Sequence, residues 1–303
     1  MSASWSGRRY DCFYWASRLD PSRPEPPYAE WLLSVGSDSA ARDRALLLDP
    51  FMHEGRILVF AQRPAPLLST ARNRAWEAFW AGNYRVAADE FRTHIQRHAD
   101  DLEAQWAAAI SLYNVRAFGE SATRLRTLED TLRRRHDAHF ARAYESLHFL
   151  AYMQAVALAA GAQRDSARAA AERALAENLA FYQARMLLAD LSLTAGDTSG
   201  AAREWADAHD VFGADAVAHY RYAQFLMQTG HPADAEKEVR ASLASEPEWV
   251  DAYGTLARAI DAQGDGRRAD AVRAFEEFLR RAPAEPAEAR RQADARLKAL
   301  RGA

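Results

Sequence analysis

Glycines in the C-terminal half of the chain recur at a fixed interval of 34 residues, at Gly196, Gly230 and Gly264. A large apolar residue stands eight positions before each glycine, and an alanine stands seven positions before it. This repetition constrains the fold more than any other feature, because each repeat is a small unit that must pack against its neighbours. Glycine tolerates the left-handed backbone that closes a helix. We therefore expect a helix to end at each glycine and a second helix to follow at once.

This 34-residue unit resembles the tetratricopeptide repeat. The alanine before each glycine matches the small residue of the motif's first helix, the glycine matches its turn, and Pro247 and Pro283 match its closing proline. Two residues are inserted after Gly264, which moves Pro283 to 36 positions after Pro247. The resemblance implies an all-α fold, a right-handed α-α superhelical solenoid of stacked helix pairs.

The same pattern extends toward the N-terminus with weaker matches. Gly82, Gly119 and Gly161 are assigned to the turns of three earlier pairs, which gives about six pairs in all. The last segment, residues 284–303, has small and apolar residues on one face and charges on the other, which is typical of the helix that caps a solenoid. The predicted pairs span residues 69–100, 102–134, 138–178, 179–213, 214–247 and 248–283.

Residues 1–68 differ from the rest of the chain, since they hold seven of its eleven prolines. Proline removes a backbone donor and clashes with the preceding helical turn, so we expect no helical repeat here. We predict an irregular segment that packs on the first repeats, with a short helix over Ala29–Val35 and a short strand over Arg56–Gln62. Such a segment either covers the open end of the solenoid or docks onto a partner.

Composition limits the possible partners and locations. The net charge of −3 gives no reason to expect nucleic acid, whose backbone requires a basic surface. Cys12 is the only cysteine, which excludes an intrachain disulfide and a cysteine-based zinc site. No run of 18 apolar residues predicts membrane insertion, and no secretion signal is recognised at the start. A cytoplasmic location is expected, and the strong preference for Arg over Lys is typical of a bacterial protein with a GC-rich genome.

The resemblance also implies a binding groove lined by the first helix of each pair. Positions counted back from the turn glycines give a groove that is aromatic at its N-terminal end and mixed polar at its C-terminal end. Such a surface suits a peptide or helix of a partner protein. The alternative is that Trp76 and Trp80 belong to the core and that the N-terminal segment fills the groove. The predicted groove residues are Trp76, Phe79, Trp80, Met186, Asp190, Leu193, Tyr220, Gln224, Met227, Asp251, Arg258 and Asp261.

Two short clusters contain residues that can support catalysis or bind metal. His53 and Glu54 follow Asp49, but a helical zinc site needs a second histidine four residues away. His136 and His139 lie in an arginine-rich connection, where a solvated charged stretch is the simpler interpretation. No phosphate-binding loop or dinucleotide fingerprint occurs in the sequence. We expect no enzymatic activity, no cofactor and no metal.

The sequence therefore predicts a non-catalytic scaffold that binds a peptide or helix of a partner protein in its concave groove. The first alternative is a structural or oligomerisation subunit of a larger assembly that docks through the N-terminal aromatic residues. An enzyme with a site in the N-terminal segment has the least support. Whether the chain associates with itself is left open. Fold alone does not decide among these functions.

Overall fold

The computed structural model of the chain describes residues 5–53, 56, 70–135, 146–283 and 287–302. These residues form sixteen α-helices and the 3₁₀ helix Asp265–Arg267, and no strand is found among them. Of the predicted strand Arg56–Gln62, only Arg56 lies within the described residues, and it is in a helical turn. The α-helices are α1 (Trp5–Leu19), α2 (Glu25–Leu33), α3 (Ser39–Leu48), α4 (Ala71–Trp80), α5 (Tyr84–Ile95), α6 (Leu102–Asn114), α7 (Phe118–Arg135), α8 (Leu147–Ala160), α9 (Arg164–Glu177), α10 (Tyr182–Thr194), α11 (Thr198–Phe212), α12 (Ala216–Gln228), α13 (Pro232–Ser245), α14 (Val250–Asp261), α15 (Arg268–Arg281) and α16 (Ala287–Gly302).

The helices from α4 to α15 form six consecutive pairs, and α16 follows the last pair. The chain divides into two compact units. The first unit, Pro27–Val211, holds most of α2, all of α3 to α10 and nearly all of α11. The second unit, Met1–Pro26 with Phe212–Ala303, holds α1 and α12 to α16. Within the series α4 to α10 and within the series α12 to α16, consecutive helices pack against each other, as expected for an all-α helical-repeat solenoid.

Left-handed residues close the first helix of every pair. Gly82, Gly196, Gly230 and Gly264 have positive φ angles between 73° and 93°, which glycine adopts at little cost. The assignment of the last three glycines as helix ends is therefore confirmed.

The second and third pairs use residues other than glycine at this position. Arg116 has a φ of 64° and Ala162 a φ of 57°. Arg116 lies 34 residues after Gly82, and Ala162 lies 34 residues before Gly196, so the repeat period holds within these pairs of turns. The turn assigned to Gly119 lies three residues earlier, at Arg116, and the turn assigned to Gly161 lies one residue later, at Ala162. They were misplaced because nothing in a side chain such as Arg or Ala indicates a left-handed conformation.

The N-terminal segment is more helical than predicted. Pro26 and Pro27 lie in the first turn of α2, where the missing donor has no helical partner to lose, so they do not prevent a helix. The predicted helix Ala29–Val35 is present as α2, shifted toward the N-terminus. The expectation that all of residues 1–68 pack on the first repeats is wrong for α1, which belongs to the second unit. In the second unit, Arg18 Nη1 of α1 lies 3.1 Å from Oε2 of Glu246, the residue that caps the C-terminus of α13.

The core of the first unit includes both α3 and the turn that follows it. Phe51 and Met52 are buried in the same apolar cluster as Phe79. The Phe51 ring stacks on Tyr113 with centroids 3.7 Å apart. His53 lies on the other side of this turn, with its ring centroid 4.4 Å from that of Phe79. Residues 51–53 therefore cover the first-helix surface of the first pair with apolar contacts.

Two buried carboxylates connect neighbouring pairs. Glu129 on α7 is fully buried, and it accepts hydrogen bonds from Arg133 Nη2 at 2.9 Å and from Gln154 Nε2 on α8 at 2.7 Å. In the second unit, Glu236 on α13 accepts hydrogen bonds from Gln263 and Arg267, which follow α14. A buried carboxylate persists only with such partners, so each one fixes the register between adjacent pairs.

Candidate functional site

The second unit contains a pocket of about 380 Å³ bounded by α12, α14, α15 and α16. Its walls are formed by the first helices of the fifth and sixth pairs (α12 and α14), by the second helix of the sixth pair (α15) and by the final helix (α16). The lining residues are Tyr220, Asp251, Gly254, Arg258, Asp261, Phe275, Phe278, Ala289, Gln292, Ala293 and Arg296.

Helix α14 contributes a stripe of residues spaced by three or four positions. Asp251, Gly254, Arg258 and Asp261 therefore lie on one face of the helix. The other face is buried in the core through residues such as Ala252, Leu256, Ala259 and Ile260. This amphipathic pattern fixes the rotation of α14 and directs the stripe into the pocket.

The floor of the pocket is apolar and depends on the absence of a side chain at Gly254. A Cβ atom built there would lie 3.0 Å from Cε2 of Phe278. Phe275 and Phe278 on α15 are both buried, and Ala293 of α16 is buried beside them. Since the phenyl ring packs directly against the backbone of α14, the floor offers a flat apolar surface between polar side chains.

Hydrogen bonds orient the polar groups of the pocket wall. Thr255 Oγ1 donates to the Tyr220 hydroxyl at 3.2 Å and accepts from Arg258 Nη2 at 2.9 Å. The Tyr220 ring lies 4.3 Å from Trp249 between centroids, and burial raises the pKa of Tyr220. Tyr220 is therefore a neutral hydrogen-bonding group near neutral pH.

The charges of the pocket are only partly neutralised. Asp261 accepts two hydrogen bonds from Arg296 of α16, at 2.8 and 2.9 Å, which ties α14 to the capping helix. Asp251 and Arg258 have no ion-pair partner within 4.0 Å in the part of the chain that the structure describes. Partial burial and the nearby Asp20 carboxylate raise the pKa of Asp251, and the positive charge of Arg258 opposes this effect without reversing it.

The structure brings four of the predicted groove residues together, namely Tyr220, Asp251, Arg258 and Asp261. Gln224 is exposed and Met227 half-buried on α12, but neither lines the pocket. Asp190 and Leu193 are half-buried on α10.

Two predicted groove residues belong to the core instead. Phe79 is fully buried under residues 51–53, and Met186 is buried within α10. Trp76 and Trp80 are half-buried and pack against the same cluster as Phe79. These assignments failed because the repeat pattern gives the face of a helix and not what covers it. The pocket walls from α15 and α16 were missed for the same reason, although the small residues Ala289 and Ala293 on one face of the final helix were a visible signal.

The possible acid–base cluster around His53 has a structural role. His53 is fully buried; its Nδ1 lies 3.0 Å from the Phe51 carbonyl oxygen and its Nε2 3.0 Å from the Tyr84 hydroxyl. Burial lowers the pKa of His53 to about 4. Both ring nitrogens are therefore engaged within the core, away from solvent. Glu54, and the second cluster at His136 and His139, lie outside the described residues.

The comparisons with known proteins agree with this architecture, which is that of a helical-repeat protein. Residues 193–260 match the family model of the tetratricopeptide repeat. The comparison with curated protein sequences gave no match. The matched segment therefore carries tetratricopeptide repeats, and proteins with these repeats generally bind protein partners and are generally not enzymes.

Solved structures share the fold at low sequence identity. A tetratricopeptide-repeat protein from Parabacteroides merdae is 12% identical with a TM-score of 0.54, over 76% of this chain and 85% of that one. A thermophilic tetratricopeptide-repeat protein of Thermus thermophilus is 17% identical with a TM-score of 0.44, over 65% and 99% of the two chains. YrrB, described as having an unusual peptide-binding site, is 15% identical with a TM-score of 0.46, over 66% and 95%. At such identities the first of these shows the fold alone.

Within the described residues, every helix is too short or too polar to cross a membrane.

Proposed function

We propose that the chain is a non-catalytic interaction module that holds a peptide segment of a partner protein in the pocket of its second unit. The observation that carries this proposal is the convergence of first-helix residues from α12 and α14 on one cavity of about 380 Å³. That volume is in the range of sites that hold a few side chains. Its apolar floor at Phe278 and its polar wall suit a peptide, which presents both kinds of group.

The chemistry of the lining supports binding over catalysis. The residues that line this described pocket include no cysteine, histidine, serine or lysine. The wall therefore offers no serine, cysteine or lysine nucleophile and no histidine base to activate one. What it offers are hydrogen-bonding groups and fixed charges on rigid helices, and such groups set the position of a ligand.

A tryptophan placed in the pocket tests this proposal. Ala289 lines the pocket from α16 and is exposed, so Ala289→Trp is expected to fill the cavity without disturbing the core. Ala295 is exposed on the same helix outside the pocket, and Ala295→Trp is the matched control. A displayed library of random peptides is selected against the full chain, and the enriched peptides are titrated against both variants.

We expect the enriched peptides to bind the wild-type chain and Ala295→Trp equally and to lose at least about tenfold in affinity for Ala289→Trp, the cost of losing a few apolar contacts. Peptides whose binding ignores Ala289→Trp would place recognition elsewhere and overturn the pocket proposal. The cytoplasmic location and bacterial origin expected from the composition stay predictions.

A second candidate function is that of a structural subunit that docks through α1. Tyr14, Trp15 and Leu19 on this helix are exposed, with 55% of the Trp15 surface accessible. Aromatic residues of this kind are enriched at protein interfaces. Sedimentation velocity of the purified chain, compared with the Trp15→Ala/Leu19→Ala double variant, tests whether copies associate through α1. A monomer at all concentrations in both cases would count against self-assembly by this route.

A further inference from the structure

The first unit contains a pocket of its own, of about 320 Å³, between the second helices of the first and second pairs. Ala88 and Arg92 of α5 form one wall, and Ala108 and Leu112 of α6 form the floor. Both α5 and α7 pack against α6, so α7 forms the opposite wall. This pocket shares no residue with the one proposed to bind peptides, so a ligand bound here is additional to a peptide partner. The residues of α7 that line it are Gly119, Glu120, Thr123, Arg124 and Thr127.

The floor of this pocket is apolar. Ala108 and Leu112 are four residues apart, which places them on one face of α6, and both are buried. Ala88 of α5 is buried beside them. The floor can therefore accommodate an aliphatic group, whose burial contributes to binding.

Arg124 is a cation of this pocket that lacks a counter-ion. Its side chain is half-buried on α7, and within the described residues no carboxylate oxygen lies within 4.0 Å of it and no acceptor receives a hydrogen bond from it. Burial lowers the pKa of Arg124, Arg92 lowers it further, and Glu120 opposes these effects without reversing them. A cation taken partly out of water needs an acceptor, so these unused donors favour an anionic ligand.

Arg92, the other guanidinium of the pocket, is already neutralised. Its Nη1 donates to Asp89 Oδ1 at 2.9 Å, and its Nη2 lies 3.6 Å from Glu120 Oε2, which links α5 to α7. Two carboxylates therefore face this one guanidinium. The positive charge left for a ligand is that of Arg124, and a second negative charge on the ligand would face Glu120 without a free cation.

The threonines of the pocket use their donors within α7. Thr123 Oγ1 donates to the Gly119 carbonyl oxygen at 2.9 Å, and Thr127 Oγ1 donates to that of Thr123 at 3.0 Å. Their hydroxyl oxygens remain as acceptors only. The side-chain donors left for a ligand are therefore guanidinium N–H groups, which pair best with oxygen atoms of an anion.

We propose that this pocket binds a small organic acid, with its carboxylate on Arg124 and its aliphatic part on Ala108 and Leu112. A carboxylate carries one charge, and its two oxygens match the planar fork of a guanidinium group. A phosphate group would bring a second charge close to Glu120, so the pocket favours a carboxylate. A volume of about 320 Å³ lies at the lower end of the range of small-molecule sites, which fits an acid of a few carbon atoms.

Simple acids provide the probes. Isocaproate, its neutral amide isocaproamide, acetate and inorganic phosphate are each titrated against the full chain at neutral pH by ligand-observed NMR. We expect isocaproate to bind at least about tenfold more tightly than its amide, because the amide lacks charge-assisted hydrogen bonds. Acetate should bind at least about tenfold more weakly than isocaproate, since it lacks the aliphatic chain.

Two charge variants of the pocket should change this binding in opposite directions. Arg124→Gln should weaken isocaproate binding at least about tenfold, whereas Glu120→Gln removes the competing carboxylate and should strengthen it about two- to fivefold. Arg97→Gln and Asp100→Asn are the matched controls, since they make the same changes of charge at exposed positions outside the pocket. A gain of affinity in Glu120→Gln is a result that loss of folding does not produce.

Three outcomes would overturn the proposal. They are the absence of saturable isocaproate binding, binding of the amide or of phosphate as tight as that of isocaproate, and equal effects of the pocket variants and their controls. Each of them leaves the peptide pocket of the second unit unaffected, because Ala289→Trp tests that site separately.

Discussion

The first and the sixth repeat use the same two positions of the first helix in opposite ways. Six residues before the turn glycine stands Trp76 in the first repeat and Arg258 in the sixth; three residues before it stand Phe79 and Asp261. The aromatic residues of the first repeat lie in or against a closed core. The charged residues of the sixth line a pocket.

The difference comes from the segment added to each repeat. In the first unit, Phe51, Met52 and His53 pack on the aromatic residues and exclude water. In the second unit, α16 is fixed to Asp261 by the charged group of Arg296 and leaves space beside it. An apolar helix face is favourably buried by any segment of the chain that can cover it, whereas a charged face stays in contact with water. The repeats therefore share one scaffold. The residue types at a few first-helix positions decide whether that helix face is buried in a core or lines an open pocket.

The largest expected effect follows from the burial of Phe79. Phe79→Ala removes a fully buried ring and should lower the free energy of unfolding by about 3–5 kcal/mol. Arg258→Ala removes an exposed side chain and should change it by less than about 0.5 kcal/mol. Urea denaturation followed by circular dichroism measures both. A small effect of Phe79→Ala would show that this position is open, and the contrast between the two repeats would disappear.

The two units should also lose stability in different pH ranges. Burial lowers the pKa of His53 from 6.5 to about 4, so the unfolded chain binds a proton that the folded chain rejects between these values. Stability therefore falls as the pH drops from about 6.5 to about 4, by about 3 kcal/mol in total. His53→Gln should remove the part of this pH dependence that His53 contributes, measured as urea midpoints at each pH. A midpoint that changes equally in wild type and variant over this range would contradict the burial of a neutral His53.

In the second unit the corresponding group is Glu236. Burial raises its pKa, but hydrogen bonds from Gln263, Arg240 and Arg267 outweigh burial and lower it from 4.5 to about 2. The stability that this carboxylate contributes is present above pH 4.5 and is lost as the pH falls toward 2. Glu236→Gln should flatten the urea midpoints below about pH 4.5 and leave the range governed by His53 unchanged. Changes in both ranges would mean that the two groups do not act independently.

The sequence predicted the repeated scaffold well and the covering segments poorly. The 34-residue period fixed the helix pairs, because turn glycines and small packing residues mark each repeat directly. It also singled out Tyr220, Asp251, Arg258 and Asp261, which line one pocket in the structure. It did not predict that residues 51–53 would bury Phe79 or that Phe278 and Arg296 would complete a pocket. Those contacts join segments that no periodicity relates, so the helix pattern carries no information about them.

Gly254 tests whether the open pocket depends on a missing side chain. Gly254→Ala places a Cβ 3.0 Å from the Phe278 ring, which must shift by a few tenths of an ångström. Alanine favours the helix by about 0.5–1 kcal/mol, which offsets part of this strain, so we expect stability within about 1 kcal/mol of wild type. Peptide affinity should nevertheless fall, because the displaced ring narrows the floor. Gly266→Ala, where a Cβ meets no atom within 4 Å, is the control. If Gly254→Ala bound peptides as tightly as the wild-type chain, the apolar floor of the pocket would have no role in peptide recognition.

The smallest expected difference lies in the turns. The second unit closes its first helices with Gly230 and Gly264, whereas the first unit uses Ala162 in its third pair. An alanine with a φ of 57° is strained relative to glycine, since its Cβ crowds the following carbonyl. Ala162→Gly should therefore raise the free energy of unfolding by up to about 1 kcal/mol, and Gly230→Ala should lower it by about 1 kcal/mol. Ala195→Gly, at a φ of −83°, controls for the flexibility that glycine adds to the unfolded chain and should be destabilising. If Ala162→Gly were as destabilising as Ala195→Gly, the turn at Ala162 would not be left-handed, and the shared 34-residue period of the turns would fail there.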